Sequence, residues 1–334
     1  MFDPLGLLIL FVLVVLFGFL TTRAWRLKNG LLKWGGVVVT GLLTLIPTLL
    51  LAVALVGFYK LNQPHNNPVA DVHVAGTPEQ IARGERLAHI CTGCHSPDRQ
   101  LPLSGNNFIT TFAFPPVGTF YAPNLTPTGN IQAWTDGEVI RAIREGVHKN
   151  GRSLIVMSSE TFRYMSDDDV QAVVAYLRSQ PAVGGPTPDN QWNTLGAIMI
   201  NLLDFQTAQA PVVQVTAPQP GTPEYGQYMV NIIGCRQCHG DNLAGKVDNG
   251  QPGPPPGPNL TKIVPNWTEA QFMTFFNSGT LPDGSQVPQE KLPNGADGGP
   301  IMPWNGVRAV ATDAELHDIY SYLHSLPPVD GPMK

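Results

Sequence analysis

Cysteine and charge are both scarce in this chain. Four cysteines are spread over 334 residues, and Asp, Glu, Lys and Arg together make up only 13%. All four cysteines fall into two pairs, Cys91/Cys94 and Cys235/Cys238, which leaves none for a framework of structural disulfides. The lack of charge is concentrated at the start, where residues 1 to 60 hold five basic side chains and one acidic. The rest of the chain holds 15 basic and 24 acidic side chains, net −9, so it lacks the basic face that nucleic-acid binding needs. Gly and Pro number 34 and 32, which predicts that much of this acidic part is ordered loop.

Two long runs have no charge at all. Pro4 to Thr22 is enough to cross a hydrocarbon core of about 30 Å as a helix. Trp34 to Tyr59 is longer still, with Pro47 near its middle and a kink expected there. A cleavable signal peptide would place basic residues before its apolar run, but here they come after it. Arg23, Arg26, Lys28 and Lys33 lie between the runs without an acid among them, which puts this loop in the cytoplasm and both chain ends outside. The expected anchor is a transmembrane hairpin over residues 1–60 in a bacterial-type cell membrane, with everything that follows on the periplasmic or outer side.

Each cysteine pair is followed at once by histidine, in Cys91-Thr92-Gly93-Cys94-His95 and Cys235-Arg236-Gln237-Cys238-His239. On one helical turn, two thiols can each form a thioether with a haem vinyl group while the next imidazole reaches the iron. This is the attachment signature of c-type haem. A thioredoxin-like pair has no need of the histidine, and a zinc site built from both pairs would leave both histidines idle. Two covalently bound haem c groups are the expected cofactors.

The surroundings of the two motifs recur in order. Thr77-Pro78-Glu79 and Thr222-Pro223-Glu224 each read as a capping hydroxyl, a first-turn Pro and a first-turn acid. Pro123-Asn124-Leu125-Thr126 returns as Pro258-Asn259-Leu260-Thr261, Trp134-Thr135 as Trp267-Thr268, and Tyr176-Leu177 as Tyr322-Leu323. The order is kept while the spacing drifts, as expected for one module duplicated with loop insertions. The predicted organisation is a tether over 61–76, a first haem domain over 77–180, a linker with a short apolar helix over 181–221, and a second haem domain over 222–334.

An iron that only exchanges electrons needs a sixth ligand. Met157, Met165 and His148 are the candidates in the first domain. Met302, in Ile301-Met302-Pro303-Trp304, aligns with Met157, and each lies about twenty residues before the aligned tyrosine, whereas Met165 lies eleven before it. Met157 and Met302 are therefore the expected thioether ligands opposite His95 and His239, although Ser158 stands where the second copy has Pro303. His65 and His73 in the tether are given no role, and the insertion over 281–299 is read either as a partner-docking segment or as a shield for the haem edge.

The order Cys-x-x-Cys-His, Pro-Asn-Leu-Thr, Met, then a closing helix ending in Tyr-Leu resembles the class I cytochrome c fold in two copies. The resemblance implies a mainly α architecture, with first and last helices crossing in each domain and the Pro123 and Pro258 carbonyls orienting His95 and His239. With its anchor and intervening apolar helix, the chain looks like the dihaem subunits that take electrons from membrane dehydrogenases, and it is similar to cytochrome subunits of terminal oxidases and quinol-oxidising complexes. The expected function is a relay of single electrons, with redox proteins of a membrane electron-transfer complex as partners. The alternative is a dihaem enzyme of peroxidase type with one iron open to small ligands, and Met157 decides between the two.

Overall fold

The structure is a computed structural model that describes residues 4–108, 116–202, 208–247, 255–291 and 297–331. It is mainly helical. Helices α1 (Leu5–Trp25) and α2 (Gly30–Asn62) form an antiparallel hairpin, and both are long and apolar enough to cross a membrane. Small residues let the pair approach closely: a Cβ added at Gly36 would lie 3.0 Å from the Ala24 methyl, and the Thr21 hydroxyl donates to Thr40 Oγ1 at 2.9 Å. Helix α2 runs through Pro47 without interruption. At the basic end, the Trp25 and Trp34 rings meet edge to face at 5.5 Å, and Lys33 Nζ lies 4.3 Å from the Trp25 centroid. This aromatic and basic collar has the composition of a membrane–water boundary.

The acidic part contains two helical units. The first holds α3 (Pro78–Ala88), α4 (Thr92–His95), α5 (Asp136–Glu145), α6 (Ser159–Phe162) and α7 (Asp167–Ser179). Helix α8 (Thr194–Leu202) follows in the linker. The second unit holds α9 (Pro223–Ile233), α10 (Cys235–His239), α11 (Leu260–Ile263), α12 (Glu269–Ser278), α13 (Trp304–Val310) and α14 (Asp313–Ser325). Starts are set by side-chain caps. The hydroxyls of Thr77, Thr135, Ser166, Thr222, Thr268 and Thr312 each accept the backbone N–H three residues on. Helix α3 does not run unbroken into Cys91: it stops at Ala88, and a 3-10 turn over His89–Cys91 carries the chain to α4.

In each unit the first and last helices cross at a glycine. A Cβ at Gly84 would lie 1.8 Å from the Ala172 carbonyl oxygen and 3.0 Å from Tyr176 Cβ; at Gly226 it would lie 1.9 Å from the Asp318 oxygen and 2.9 Å from Tyr322 Cβ. Backbone-to-backbone packing this close leaves no room for any side chain there. The two cores join into one cluster in which Leu87, Val173 and Leu177 share surroundings with Met229, Ile232 and Leu316.

The tether is not a free strand of chain. His65 N donates to the Gly151 carbonyl, the His65 ring is 2.9 Å from Ser153 Oγ, and Asn67 Nδ2 donates to Glu145 Oε2 at 2.6 Å. Val74 N donates to Asp136 Oδ2. The linker binds the same helix: Gln209 N donates to the Glu145 carbonyl and Val212 N to Glu145 Oε1. His65 is thus a structural contact and not a solvated linker side chain, while His73 is fully out in solvent.

Short strands complete the loops: Asn106–Asn107 pairs with Tyr121–Ala122, Gly118–Thr119 with Gln191–Trp192, and Gln289–Lys291 with Asp297–Pro300. The last pair lies in the 281–299 insertion. A Cβ at Gly299 would be 3.0 Å from Arg99 Nη1, so the end of this insertion lies against the loop that follows His95. Residues 292–296 of the insertion and 203–207 of the linker fall outside the described residues.

Candidate haem sites

Cys91, Cys94 and His95 lie on consecutive turns at the end of the α3 arm, and Cys235, Cys238 and His239 lie along α10. None of the four cysteines is joined to another in a disulfide. Burial pushes the Cys91 and Cys235 thiols up to about 12 and raises Cys94 and Cys238 as well. Burial lowers both histidines, and a hydrogen bond opposes that only in part, so both imidazoles are neutral at pH 7.

That hydrogen bond has the same geometry twice. His95 Nδ1 donates to the Pro123 carbonyl at 2.8 Å, and His239 Nδ1 donates to the Pro258 carbonyl at 2.8 Å. A carbonyl only accepts, so the proton sits on Nδ1 and Nε2 keeps its lone pair for a metal. The prolines are held in turn. Asn124 Oδ1 accepts from Thr126 Oγ1 while Asn124 Nδ2 donates to the Val183 carbonyl; Asn259 Oδ1 accepts from Thr261 Oγ1 while Asn259 Nδ2 donates to the Val329 carbonyl. The loop after each histidine closes in the same way, with Gly105 N donating to the His95 carbonyl and Gly245 N to the His239 carbonyl. A Cβ at Gly257 would lie 2.7 Å from Cε1 and Nδ1 of His239, so only glycine leaves that ring its place.

The methionine loops also match. Met157 and Met302 are half-buried, and their carbonyls accept from Ser159 N and Trp304 N, each at 2.7 Å. The residues between have nearly the same backbone: Ser158 at φ −73°, ψ 49° and Pro303 at φ −76°, ψ 59°. Ser158 thus takes up the proline's conformation. The other candidates are otherwise engaged. Met165 is 3% exposed in the core, and its carbonyl accepts from Arg144 Nε; the His148 ring lies edge-on to Trp134 at 4.7 Å, and its Nδ1 meets Asn150 Oδ1 at 2.8 Å. Two thiols, a neutral imidazole with a fixed tautomer and a thioether on an ordered turn form a donor set that fits covalent haem c in each unit.

The sequence offered no sign of three further residues. Arg83 bridges the units, donating to Asp169 at 2.8 and 3.0 Å, to Glu315, and to the Tyr225 hydroxyl at 3.2 Å. Burial disfavours its charge, yet the two carboxylates keep it fully protonated. The Tyr228 hydroxyl donates to Asp169 Oδ2 at 2.6 Å. Gln237, inside the second cysteine motif, donates to Thr161 Oγ1 at 2.8 Å. With the crossing glycines Gly84 and Gly226 aligned, Arg83 falls opposite Tyr225, so comparing the copies conceals it.

Residues 81–181 match the family described as cytochrome c, so this stretch is a cytochrome c domain, which implies covalently bound haem c. Curated relatives extend the similarity over more of the chain. The cytochrome c subunit of the quinone-type alcohol dehydrogenase of Gluconacetobacter polyoxogenes is 28% identical over 295 residues, 78% of this chain and 60% of the relative. The corresponding subunit of the quinone-type alcohol dehydrogenase of Gluconobacter oxydans is 28% identical over 60% of this chain and 47% of its own length. The gluconate 2-dehydrogenase cytochrome c subunit of Pantoea cypripedii is 31% identical over 48% of this chain and 37% of its own. The chain thus spans three-fifths or less of the length of these relatives.

Proposed function

We propose that the protein is a membrane-anchored dihaem cytochrome c that relays single electrons on the outer face of a bacterial-type membrane, as the electron-transfer subunit of a dehydrogenase complex. The observation that carries this reading is reciprocal packing. Helix α6, which follows Met157, packs on α9 and receives the hydrogen bond from Gln237 in the second cysteine motif. Helix α13, which follows Met302, packs on α3 and on the 3-10 turn that holds Cys91. Each candidate ligand loop is thus adjacent to the other unit's attachment turn, an arrangement that suits transfer between two haems and serves no purpose in an anchor alone.

Haem, when bound, supplies the one-electron couple. The chain's own part is to hold it. Cys91, Cys94, Cys235 and Cys238 attach, His95 and His239 ligate through Nε2 with their rings fixed by Pro123 and Pro258, and Met157 and Met302 close the far side. The Arg83 bridge ties the first helix of one unit to the closing helix of both, which favours one orientation of the two sites. The three relatives are all subunits of dehydrogenases, which supports a dehydrogenase as donor. The matched turns at Met157 and Met302 favour this over a peroxidase-type enzyme, which needs one far side open.

The test is carbon monoxide added to the dithionite-reduced protein, together with the intact mass. Two haems per chain and no carbonyl spectrum are expected, while Met157→Ala and Met302→Ala should each open one haem to the gas and lower its potential. A wild-type protein that carries one haem, or that binds carbon monoxide at one of two, overturns the relay.

A further inference from the structure

Helix α8 packs along the outer end of the hairpin, not between the haem units. A Cβ at Gly57 would lie 1.8 Å from the Ala197 carbonyl oxygen, and Asn201 Nδ2 donates to the Val53 carbonyl at 3.0 Å. Four residues along α8 therefore match four residues back along α2, so the two helices are antiparallel. On the other side, a Cβ at Gly6 would lie 2.3 Å from Thr194 Oγ1. The linker helix starts beside the outer end of α1 and runs down the hairpin in the direction of α1.

Depth follows from helix rise. The charge-free run of α2 extends from Trp34 to Tyr59, and Val53 lies about seven residues outward of its midpoint, roughly 10 Å at 1.5 Å per residue. Half of a hydrocarbon core is about 15 Å. Asn201 therefore meets α2 inside the outer leaflet, whereas Ala197, beside Gly57, lies near its boundary. Thr194–Leu202 contains no charged residue, and Leu202 is 72% exposed and Leu195 45% exposed, as Leu49, Leu55 and Val56 of α2 are exposed at the same end of the hairpin. The side-chain Nδ2 donors that go down with the helix are satisfied within the bundle, because Asn201 Nδ2 also donates to the Ala197 carbonyl at 3.1 Å.

We propose that the linker re-enters the membrane: the C-terminal half of α8 is a third, shallow membrane element whose Leu202 face contacts acyl chains of the outer leaflet. The inference rests on the hairpin being membrane-spanning. It gives the chain a second attachment to the bilayer, between the two haem units, and fixes their orientation to the membrane plane.

Single-cysteine variants of the full-length haem-loaded protein in lipid nanodiscs, spin-labelled at the one free thiol, test it. Leu202→Cys probes α8, Leu42→Cys the exposed hairpin face and Val213→Cys, at an 83% exposed side chain, the solvent-facing linker. Labels at 42 and 202 should collide more often with oxygen than with a nickel chelate, with the ratio at least several-fold reversed at 213. If 42 behaves as expected while 202 is open to nickel, α8 lies in water and the inference fails alone. If 202 is shielded from both, protein covers it, and the lipid assignment fails as well. Nickel access at 42 overturns the anchor and with it this proposal. All three side chains are at the surface, so none of the substitutions disturbs the core.

Discussion

Ser158 and Pro303 show what one residue type contributes at a ligand turn. Both backbones sit near φ −75°, where the pyrrolidine ring of Pro303 is fixed by its chemistry and Ser158 is held only by its surroundings. Replacing Ser158 by Pro should therefore leave the reduced absorption spectrum unchanged and stabilise the protein by about 0.4–1 kcal/mol, since the unfolded chain loses freedom and the folded one loses none. Thermal melting followed in the Soret band measures this, and a drop in midpoint would show that the Ser158 N–H or the preceding backbone cannot tolerate the ring. Residue type alone left Met157, Met165 and His148 level as ligands. Repeat register separated them, because Met157 and Met302 keep the same distance from the closing tyrosine, and the two 2.7 Å turns show the same local shape.

At the scale of the element, the crossing glycines are the sharpest constraint. A methyl at Gly84 or Gly226 would fall within 2 Å of a carbonyl oxygen on the partner helix, which neither backbone can avoid without the two helices moving apart. Gly84→Ala and Gly226→Ala should each cost about 3 kcal/mol, at the upper end of overpacking, and each should release its own unit first in a denaturant titration read by haem absorbance. Equal midpoints for wild type and Gly226→Ala would mean that the crossing is looser than these distances. Helix starts were legible because caps are local chemistry: Thr77 and Thr222 marked starts that the fold keeps. The break at Ala88 was not legible, since nothing in Leu87-Ala88-His89-Ile90 disfavours an α-helix. Nor was the packing of the tether, because the Asn67 to Glu145 contact joins residues far apart in sequence and leaves no periodic trace.

For the whole molecule, the polar part of the join between the units is centred on one cation. Asp169 and Glu315 hold equivalent places at the starts of the two closing helices, and Arg83 lies between them while Tyr225 fills the matching position. Burial alone would raise the Glu315 carboxyl, but Arg83 and the Thr312 hydrogen bonds outweigh it and hold the group below its ordinary value. A depressed folded value means that this stabilisation is present at neutral pH and is lost as pH falls through the carboxylate range. The melting midpoint should thus hold from pH 7 to about 5 and drop as pH falls below about 4.5, with Glu315→Gln showing a shallower dependence from a lower starting point. Arg83→Met leaves two carboxylates facing each other without their counter-ion, a loss of about 3–5 kcal/mol, and should slow electron exchange between the haems in flash-reduction kinetics. If exchange is as fast in Arg83→Met as in wild type, the ion pair has no part in positioning.

Glu145 ties tether and linker to one helix, with its carboxylate and carbonyl accepting from Asn67, Gln209 and Val212. A cytochrome on a loose leash gains partners through effective concentration, which depends on how far the leash reaches. Here the leash is sewn to its load. In the proposed relay, encounter is then governed by orientation instead of reach: lengthening the tether would gain no new collisions until the Glu145 stitches are cut, and a redox partner would meet the haem units at a set angle to their anchor.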